Sequence, residues 1–309
     1  MRPYPSYLKL MDNGEIDKRI EALYTKLECC DLCPNRCEVN RLKGERGFCK
    51  VLDRPMVSSY GPHFGEERPL VGKNGSGAIF FTYCNMACVY CQNWEISHLG
   101  DGDIAWVDDL AKIMLILQAW GCHNINLVTP THQVPFIVKA IKLAAEKGLR
   151  LPIVYNCGGY ESLDTLKLLE DIVDIYMPDI KYMNDEVALK LSKVKNYSSV
   201  VKTAVKEMYR QVGDLVIEDG IAKRGLIVRH LVLPQDLSQT EEVIKFIAEE
   251  ISKDTYFNLM DQYRPCGDAW KYPPLDRKIT QEEWERALSL AKKYGLKRLD
   301  DRRARFWDI

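Results

Sequence analysis

Beyond residue 76 the chain alternates between short apolar runs and stretches of helical spacing. The runs cover residues 78–82, 125–129, 152–156, 175–179, 226–234 and 255–261. Several are continuous rather than alternating, the pattern of parallel strands buried on both faces. In one intervening stretch Val107, Leu110, Met114, Leu117 and Trp120 recur at threes and fours, which predicts a buried helical stripe that Gly121 ends. Six strand-then-helix units predict an α/β fold with right-handed crossovers, a full or partial (β/α) barrel. No internal repeat or low-complexity linker interrupts it.

Barrel chemistry gathers at the C-terminal ends of the strands. There the sequence puts Cys84 after the first run, Thr129 and Thr131 after the second, Asn156 and Asp179 at the ends of the third and fourth, and Asp261, Gln262 and Tyr263 at the close of the sixth. Arg229 lies inside the fifth, where a charge needs a partner.

Composition adds little until cysteine is counted. A net charge of -1 gives no electrostatic reason to expect nucleic acid or an anionic membrane as partner. No apolar run approaches the roughly 20 residues of a membrane span. Met1 to Lys18 has no apolar signal region, so the expected location is the cytoplasm. The 11 cysteines are many for a reducing compartment. Cys29, Cys30, Cys33, Cys37 and Cys49 form one cluster and Cys84, Cys88 and Cys91 another, while Cys122, Cys157 and Cys266 stand alone. Clustered thiols of this kind read as metal ligands.

The spacing C-x3-C-x2-C of Cys84, Cys88 and Cys91 provides three thiolates. A cubane Fe–S cluster takes four ligands, so one iron stays open to a small molecule, whereas structural zinc closes its shell with four protein ligands. Cys30, Cys33, Cys37 and Cys49, spaced C-x2-C-x3-C-x11-C, provide four thiolates with Cys29 to spare. They fit a closed site, either structural zinc or a second Fe–S cluster. This cysteine-rich element predicts a small metal-binding lobe over residues 1–60, ahead of a barrel with a C-terminal extension over 61–309.

The segment from Phe81 to Trp94, with Tyr90 before its last cysteine, resembles the radical S-adenosylmethionine (SAM) superfamily. More narrowly, the chain resembles the pyruvate formate-lyase activating enzymes and their PflX-type relatives. The strings that carry this are Cys30-Asp31-Leu32-Cys33-Pro34, Gly61-Pro62-His63-Phe64-Gly65-Glu66, Asn124-Ile125-Asn126-Leu127-Val128-Thr129-Pro130-Thr131-His132 and Asn258-Leu259-Met260-Asp261-Gln262-Tyr263. The resemblance implies a partial (β/α)6-type radical SAM barrel with a 4Fe-4S cluster on Cys84, Cys88 and Cys91. SAM chelates the open iron, and an electron from flavodoxin or ferredoxin splits it into methionine and a 5′-deoxyadenosyl radical. The radical takes hydrogen from a protein or peptide, as glycyl-radical activases do. A small metabolite is the alternative target, and a non-catalytic metal scaffold the alternative of another class.

Residue roles follow from the same resemblance. Tyr90 matches the aromatic against adenine, Asp179 and Lys181 the pair that seats SAM, and Arg229 a further carboxylate clamp. Asn156, Cys157, Met177 and Asp179 fall where the activating enzymes bind a monovalent cation, with Asn156-Cys157 replacing an acidic residue and threonine. The Gly-Gly-Glu-type turn that binds the SAM amino group is replaced by Thr129-Pro130-Thr131-His132. The hydroxyls of Thr129 and Thr131, or their backbone, are expected to take over. His132 reads first as a polar loop residue. Tyr160, Asp261, Gln262, Tyr263 and Arg264 are candidates for the substrate side, and the basic tail from Lys292 to Arg305 reads as a solvated helix end.

Overall fold

The computed structural model describes residues 4–300; Arg302, Arg303 and Arg305 of the basic tail lie outside them. Ten strands make one sheet: β1 (Met56–His63), β2 (Ser76–Phe81), β3 (Asp103–Ile104), β4 (Ile125–Val128), β5 (Ile153–Cys157), β6 (Ile175–Pro178), β7 (Val216–Glu218), β8 (Ile221–Leu231), β9 (Tyr256–Met260) and β10 (Arg298–Leu299). Their order is β10-β9-β8-β6-β5-β4-β2-β1-β3, with β7 paired to β8. From β2 through β10 along this path every pairing is parallel. The six predicted strands are β2, β4, β5, β6, β8 and β9, each shifted by a few residues at most at its ends except β8, which begins five residues earlier. The sheet is open rather than closed, a partial barrel, with antiparallel β1 and β3 extending one edge.

Helices α1 (Tyr7–Asp12), α2 (Glu15–Thr25), α3 (Arg68–Val71), α4 (Val107–Ala119), α5 (Val134–Glu146), α6 (Leu163–Leu168), α7 (Asp185–Ser192), α8 (Tyr197–Val212), α9 (Thr240–Phe246) and α10 (Gln281–Lys293) complete the chain. The α4 stripe buries Leu110, Met114 and Leu117. Trp120 departs from it: 54 % exposed, it stacks on Tyr60 at 6.1 Å. The helix has ended one residue earlier, and Gly121 takes the left-handed conformation (φ 81°) that a Cβ would strain.

The N-terminal segment does not stand apart. Tyr7 is buried with its hydroxyl between the carbonyls of Leu149 and Leu151, 3.2 Å from each, and Leu10, Ile16 and Leu23 join the core that runs through the barrel. Strand β1 crosses residue 60 and pairs with β2, so the cysteine-bearing lobe gives way to the sheet by residue 56. None of the described helices is long and apolar enough to cross a membrane.

One short element sets the depth of the barrel. Leu70, of α3, packs in one cluster with Val154, Ile175, Met177 and Ile227, and its carbonyl accepts from Asn124 Nδ2 at 2.9 Å, just before β4 begins. Leu70 is fully buried and Val71 nearly so, each stabilised by about 1.5–3 kcal/mol of apolar burial. The chain thus stoppers its own barrel from below. Directly before this stopper, Glu66 and Glu67 are also buried, and Glu66 borders the space above.

Candidate active site

A cavity of about 440 Å3 opens at the C-terminal ends of the parallel strands. Cys84, Cys88 and Cys91 line it together with Tyr90, Thr129, Asn156, Asp179, Lys181 and Arg229. Ten residues singled out from sequence as candidate cysteine-cluster or SAM contacts come from five separate strand ends, and the fold gathers nine of them here. The exception is Thr131.

The cysteine loop follows β2 and is fixed from several sides. Tyr83, just before Cys84, has φ 65°, and Thr129 at the end of β4 has φ 61°. Left-handed backbone is strained for such side chains, most of all β-branched threonine, and persists where surrounding contacts enforce it, often at functional sites. The Ala87 and Val89 N–H groups donate to the Ser192 and Leu191 carbonyls at the end of α7, at 3.0 and 2.8 Å. Gly158 admits the loop from the other side, since a Cβ there would fall 2.6 Å from the Met86 sulfur.

Each sulfur has a polar neighbour. The Met86 N–H donates to Cys84 Sγ at 3.3 Å, and the Ser97 hydroxyl to Cys91 Sγ at 3.1 Å. Cys88 Sγ lies 2.9 Å from the Ser192 hydroxyl, which continues through Tyr182 (2.8 Å) to Tyr90 (2.5 Å between hydroxyls). Burial raises the Cys84 and Cys88 thiols above their ordinary range, while Lys181 pulls the other way. Thiols held protonated by burial are converted to thiolates by a bound cation. A soft donor set of three sulfurs at the mouth of a large cavity fits a cluster with one open corner.

Asp179 and Lys181 form an ion pair at 2.6 Å. Burial opposes the charge of Lys181, but Asp179, with Cys88 and Tyr197 acting the same way, outweighs it and lifts the ammonium well above its ordinary range. Their backbone is held by Tyr197, whose hydroxyl accepts the Lys181 N–H at 3.0 Å and contacts the Gly158 and Asp179 carbonyls at 2.9 and 3.1 Å.

Arg229 is less free than a simple clamp would be. Its Nε and Nη2 make a two-point pair with Glu67 (2.8 and 2.7 Å), Nη2 also contacts Glu66, and Nη1 reaches Asn156 Oδ1 at 3.4 Å. Burial would raise the Glu66 carboxyl, but Arg229 and His63 outweigh it and hold it down at about 2. The half-buried charge in β8 thus finds its partners 162 and 163 residues away. Glu66, Glu67, His63, Ser97 and Ser192 were missed as site residues. The only signal for His63 and Glu66 was the string from Gly61 to Glu66, whose chemistry the sequence leaves unassigned, and Glu67 lies one residue beyond it.

The second-strand turn is corrected most. Thr131 begins a 3-10 turn, is fully buried, and donates to Glu161 Oε1 at 2.7 Å behind the cavity wall. Tyr155 donates to the other carboxylate oxygen at 2.9 Å. Burial lifts Glu161 to about 7, with these hydrogen bonds working against the rise. His132 is no loop residue: 1 % exposed, it donates from Nε2 to the Thr82 carbonyl at 2.8 Å, and burial depresses it to about 4. At the positions matched to a monovalent cation site, the Cys157 carbonyl accepts the Asp179 N–H at 2.8 Å, and Met177 packs on the stopper. Of the substrate-side candidates, Gln262 lines the cavity, while Tyr160 and Tyr263 are buried and hydrogen-bond to the Lys195 and Leu275 carbonyls.

Cys30, Cys33, Cys37 and Cys49 surround a second, far smaller space. Among the described residues no three His, Cys, Asp or Glu side chains are gathered at metal-ligand spacing. Both cysteine groups instead enclose room that an occupant would draw them around.

Comparison with known proteins agrees with this geometry. A 35 % identical relative, the uncharacterized protein MJ0674 of Methanocaldococcus jannaschii, aligns over 91 % of this chain and 79 % of its own length. The pyruvate formate-lyase 1-activating enzyme of Escherichia coli K12 is 24 % identical over 72 % of this chain and 92 % of its own length. SuiB of Streptococcus suis, a solved structure, has a TM-score of 0.49 at 14 % identity, covering 69 % of this chain and 44 % of that one. The family model described as the radical SAM superfamily matches residues 78–247, which span the cysteine loop, the Asp179–Lys181 pair and Arg229, and the chain belongs to that superfamily.

Proposed function

We propose that this radical SAM enzyme cleaves SAM reductively in the 440 Å3 cavity and abstracts hydrogen from a protein or peptide, in the manner of a glycyl-radical activase. The observation that carries the reading is the convergence of three sulfurs, one ammonium and one guanidinium on a single cavity. Cys84, Cys88 and Cys91 would hold a 4Fe-4S cluster, which would supply the one-electron chemistry for reductive cleavage of the SAM sulfonium.

The chain's own residues do the rest. Lys181 offers charge-assisted hydrogen bonds to the methionyl carboxylate, and Asp179 holds that ammonium in place and accepts from the amino group. Thr129, strained and facing the cavity, presents its hydroxyl and backbone where a Gly-Gly-Glu turn would stand. Tyr90 flanks the cavity with its ring fixed edge-on between Tyr182 and Tyr263. The buried Arg229–Glu66–Glu67 group forms a rigid floor, and the stopper beneath it keeps water out from below.

The peptide target rests on the likeness to the activating enzymes, and the electron donor on the same likeness: flavodoxin or ferredoxin. Anaerobic incubation of the reconstituted protein with dithionite and SAM tests the chemistry. Sustained 5′-deoxyadenosine is expected, and its absence from a fully reconstituted sample would leave a non-catalytic scaffold. Deuterium transferred into 5′-deoxyadenosine from labelled protein supports the peptide reading; transfer only from a labelled small-molecule extract overturns it.

A further inference from the structure

The reaction proposed above makes no use of the other cysteine group. Cys30, Cys33 and Cys49 are buried and Cys37 half-buried, around a cavity of about 10 Å3 that Arg41 and His132 also line. That volume is about one water-sized sphere, close to the size of a single ion, and the sulfurs around it would move less to close on one ion than to enclose a cubane of four irons and four sulfides.

The wall of this cavity lacks partners it needs. Arg41 is 1 % exposed. Its Nε and Nη1 donate only to neutral carbonyls, those of Leu52 and His132, each at 2.9 Å, and Nη2 has no hydrogen-bond partner among the described residues. A guanidinium stays charged in a protein, and burying a charge without a counter-charge is costly. His132 donates its Nε2 proton to the Thr82 carbonyl and leaves Nδ1 buried and unpartnered among the described residues. Two residues that each carry an orphaned polar atom, and four cysteines, thus line one small space. The lobe is also shaped for the sulfurs: the Phe48 N–H donates to Cys37 Sγ at 3.3 Å, and a Cβ on Gly47 would fall 2.9 Å from that sulfur.

We propose that Cys30, Cys33, Cys37 and Cys49 hold one divalent thiophilic ion of the zinc class as a closed tetrathiolate, with Arg41 as its buried counter-cation. Four S–H bonds are replaced by four metal–sulfur bonds, four protons leave to solvent, and no electron moves. Four thiolates on a divalent ion carry an excess negative charge, which is what Arg41 lacks. The ion also braces the first site. Asn35, between Cys33 and Cys37, donates from Nδ2 to the Asn85 carbonyl beside Cys84 at 2.8 Å.

Metal and sulfide analysis of the full chain, purified without air, tests this without reference to SAM. The C84A/C88A/C91A variant is expected to keep one zinc per chain with negligible iron, and the reconstituted parent to hold one zinc beside roughly four irons. Cobalt exchanged into the variant should give the spectrum of a tetrahedral thiolate site. Iron with acid-labile sulfide retained by the variant overturns the single ion, and so does a parent chain with no zinc. Nitrogen in the metal's first shell by X-ray absorption overturns the all-sulfur donor set. R41M should weaken zinc 10–100-fold in chelator competition, as for loss of an outer-shell partner, with R41K recovering part of it. Should R41M not fold, R41Q takes its place as the charge-removing variant: zinc affinity equal to the parent in whichever of the two folds removes Arg41 from the role.

Discussion

The two cysteine groups lie one side-chain hydrogen bond apart and are built on opposite plans. The group on Cys84, Cys88 and Cys91 opens on a space of about 440 Å3 lined by Lys181, Asp179, Arg229 and Glu66. The group on Cys30, Cys33, Cys37 and Cys49 encloses about 10 Å3 and faces the buried Arg41 guanidinium, one of whose nitrogens has no hydrogen-bond partner among the described residues. Three sulfurs with room to spare leave a coordination position for chemistry; four sulfurs with none give a staple. On the proposed readings of the two groups, ligand count and free volume, more than ligand identity, separate a reactive centre from a structural one.

The largest expected effect splits the pair cleanly. C84A/C88A/C91A should reduce 5′-deoxyadenosine formation to background while the metal of the N-terminal group stays, read by product chromatography and metal analysis on one sample. Next comes the floor of the open site. R229M leaves Glu66 and Glu67 buried without their cation and should cost about 3–5 kcal/mol in denaturant unfolding. K181M removes charge-assisted bonds worth about 1.5–3 kcal/mol and should weaken SAM binding roughly 10–100-fold in equilibrium dialysis. An unchanged SAM affinity would remove Lys181 from the open site's binding set.

Two smaller effects probe the wall and the sulfurs. Glu161 has its folded pKa raised from 4.5 to about 7 by burial. A group raised in this way adds stability in full below its unfolded value, and that contribution is lost as pH rises through its folded value. Unfolding free energy should therefore fall between pH 4.5 and about 7, and E161Q should flatten that part of the profile. The smallest is S192A, which removes a hydrogen-bond neighbour of Cys88 and should shift the cluster's midpoint potential to a more negative value in an anaerobic titration.

What could be read from the chain differed by element. The central parallel strands were legible because burial on both faces writes continuous apolar runs. Strand β1 was not: it carries Gly61 and Pro62 and is mostly solvent-facing. The three cysteines were legible because their spacing is local. Arg229 announced that it needed a partner, yet nothing local names Glu66 and Glu67, which the stopper brings in from the far side of the sequence. Thr131 and His132 were misjudged because a 3-10 turn follows Thr129 and swings both side chains behind the wall. Volume was illegible altogether, and it is on volume that the proposed choice of one ion over a cluster at the N-terminal group rests.

The stopper on Leu70 and Val71 has a consequence for traffic. With Leu70 packed beneath the floor of the cavity, the approach for a reactant is from the C-terminal side of the strands, where Gln92, Met260 and Gln262 line it. Entry and exit share one doorway. Spent methionine and deoxyadenosine must clear it before a fresh cofactor can pass, and any bulky target docked on the rim would hold them in until it departs.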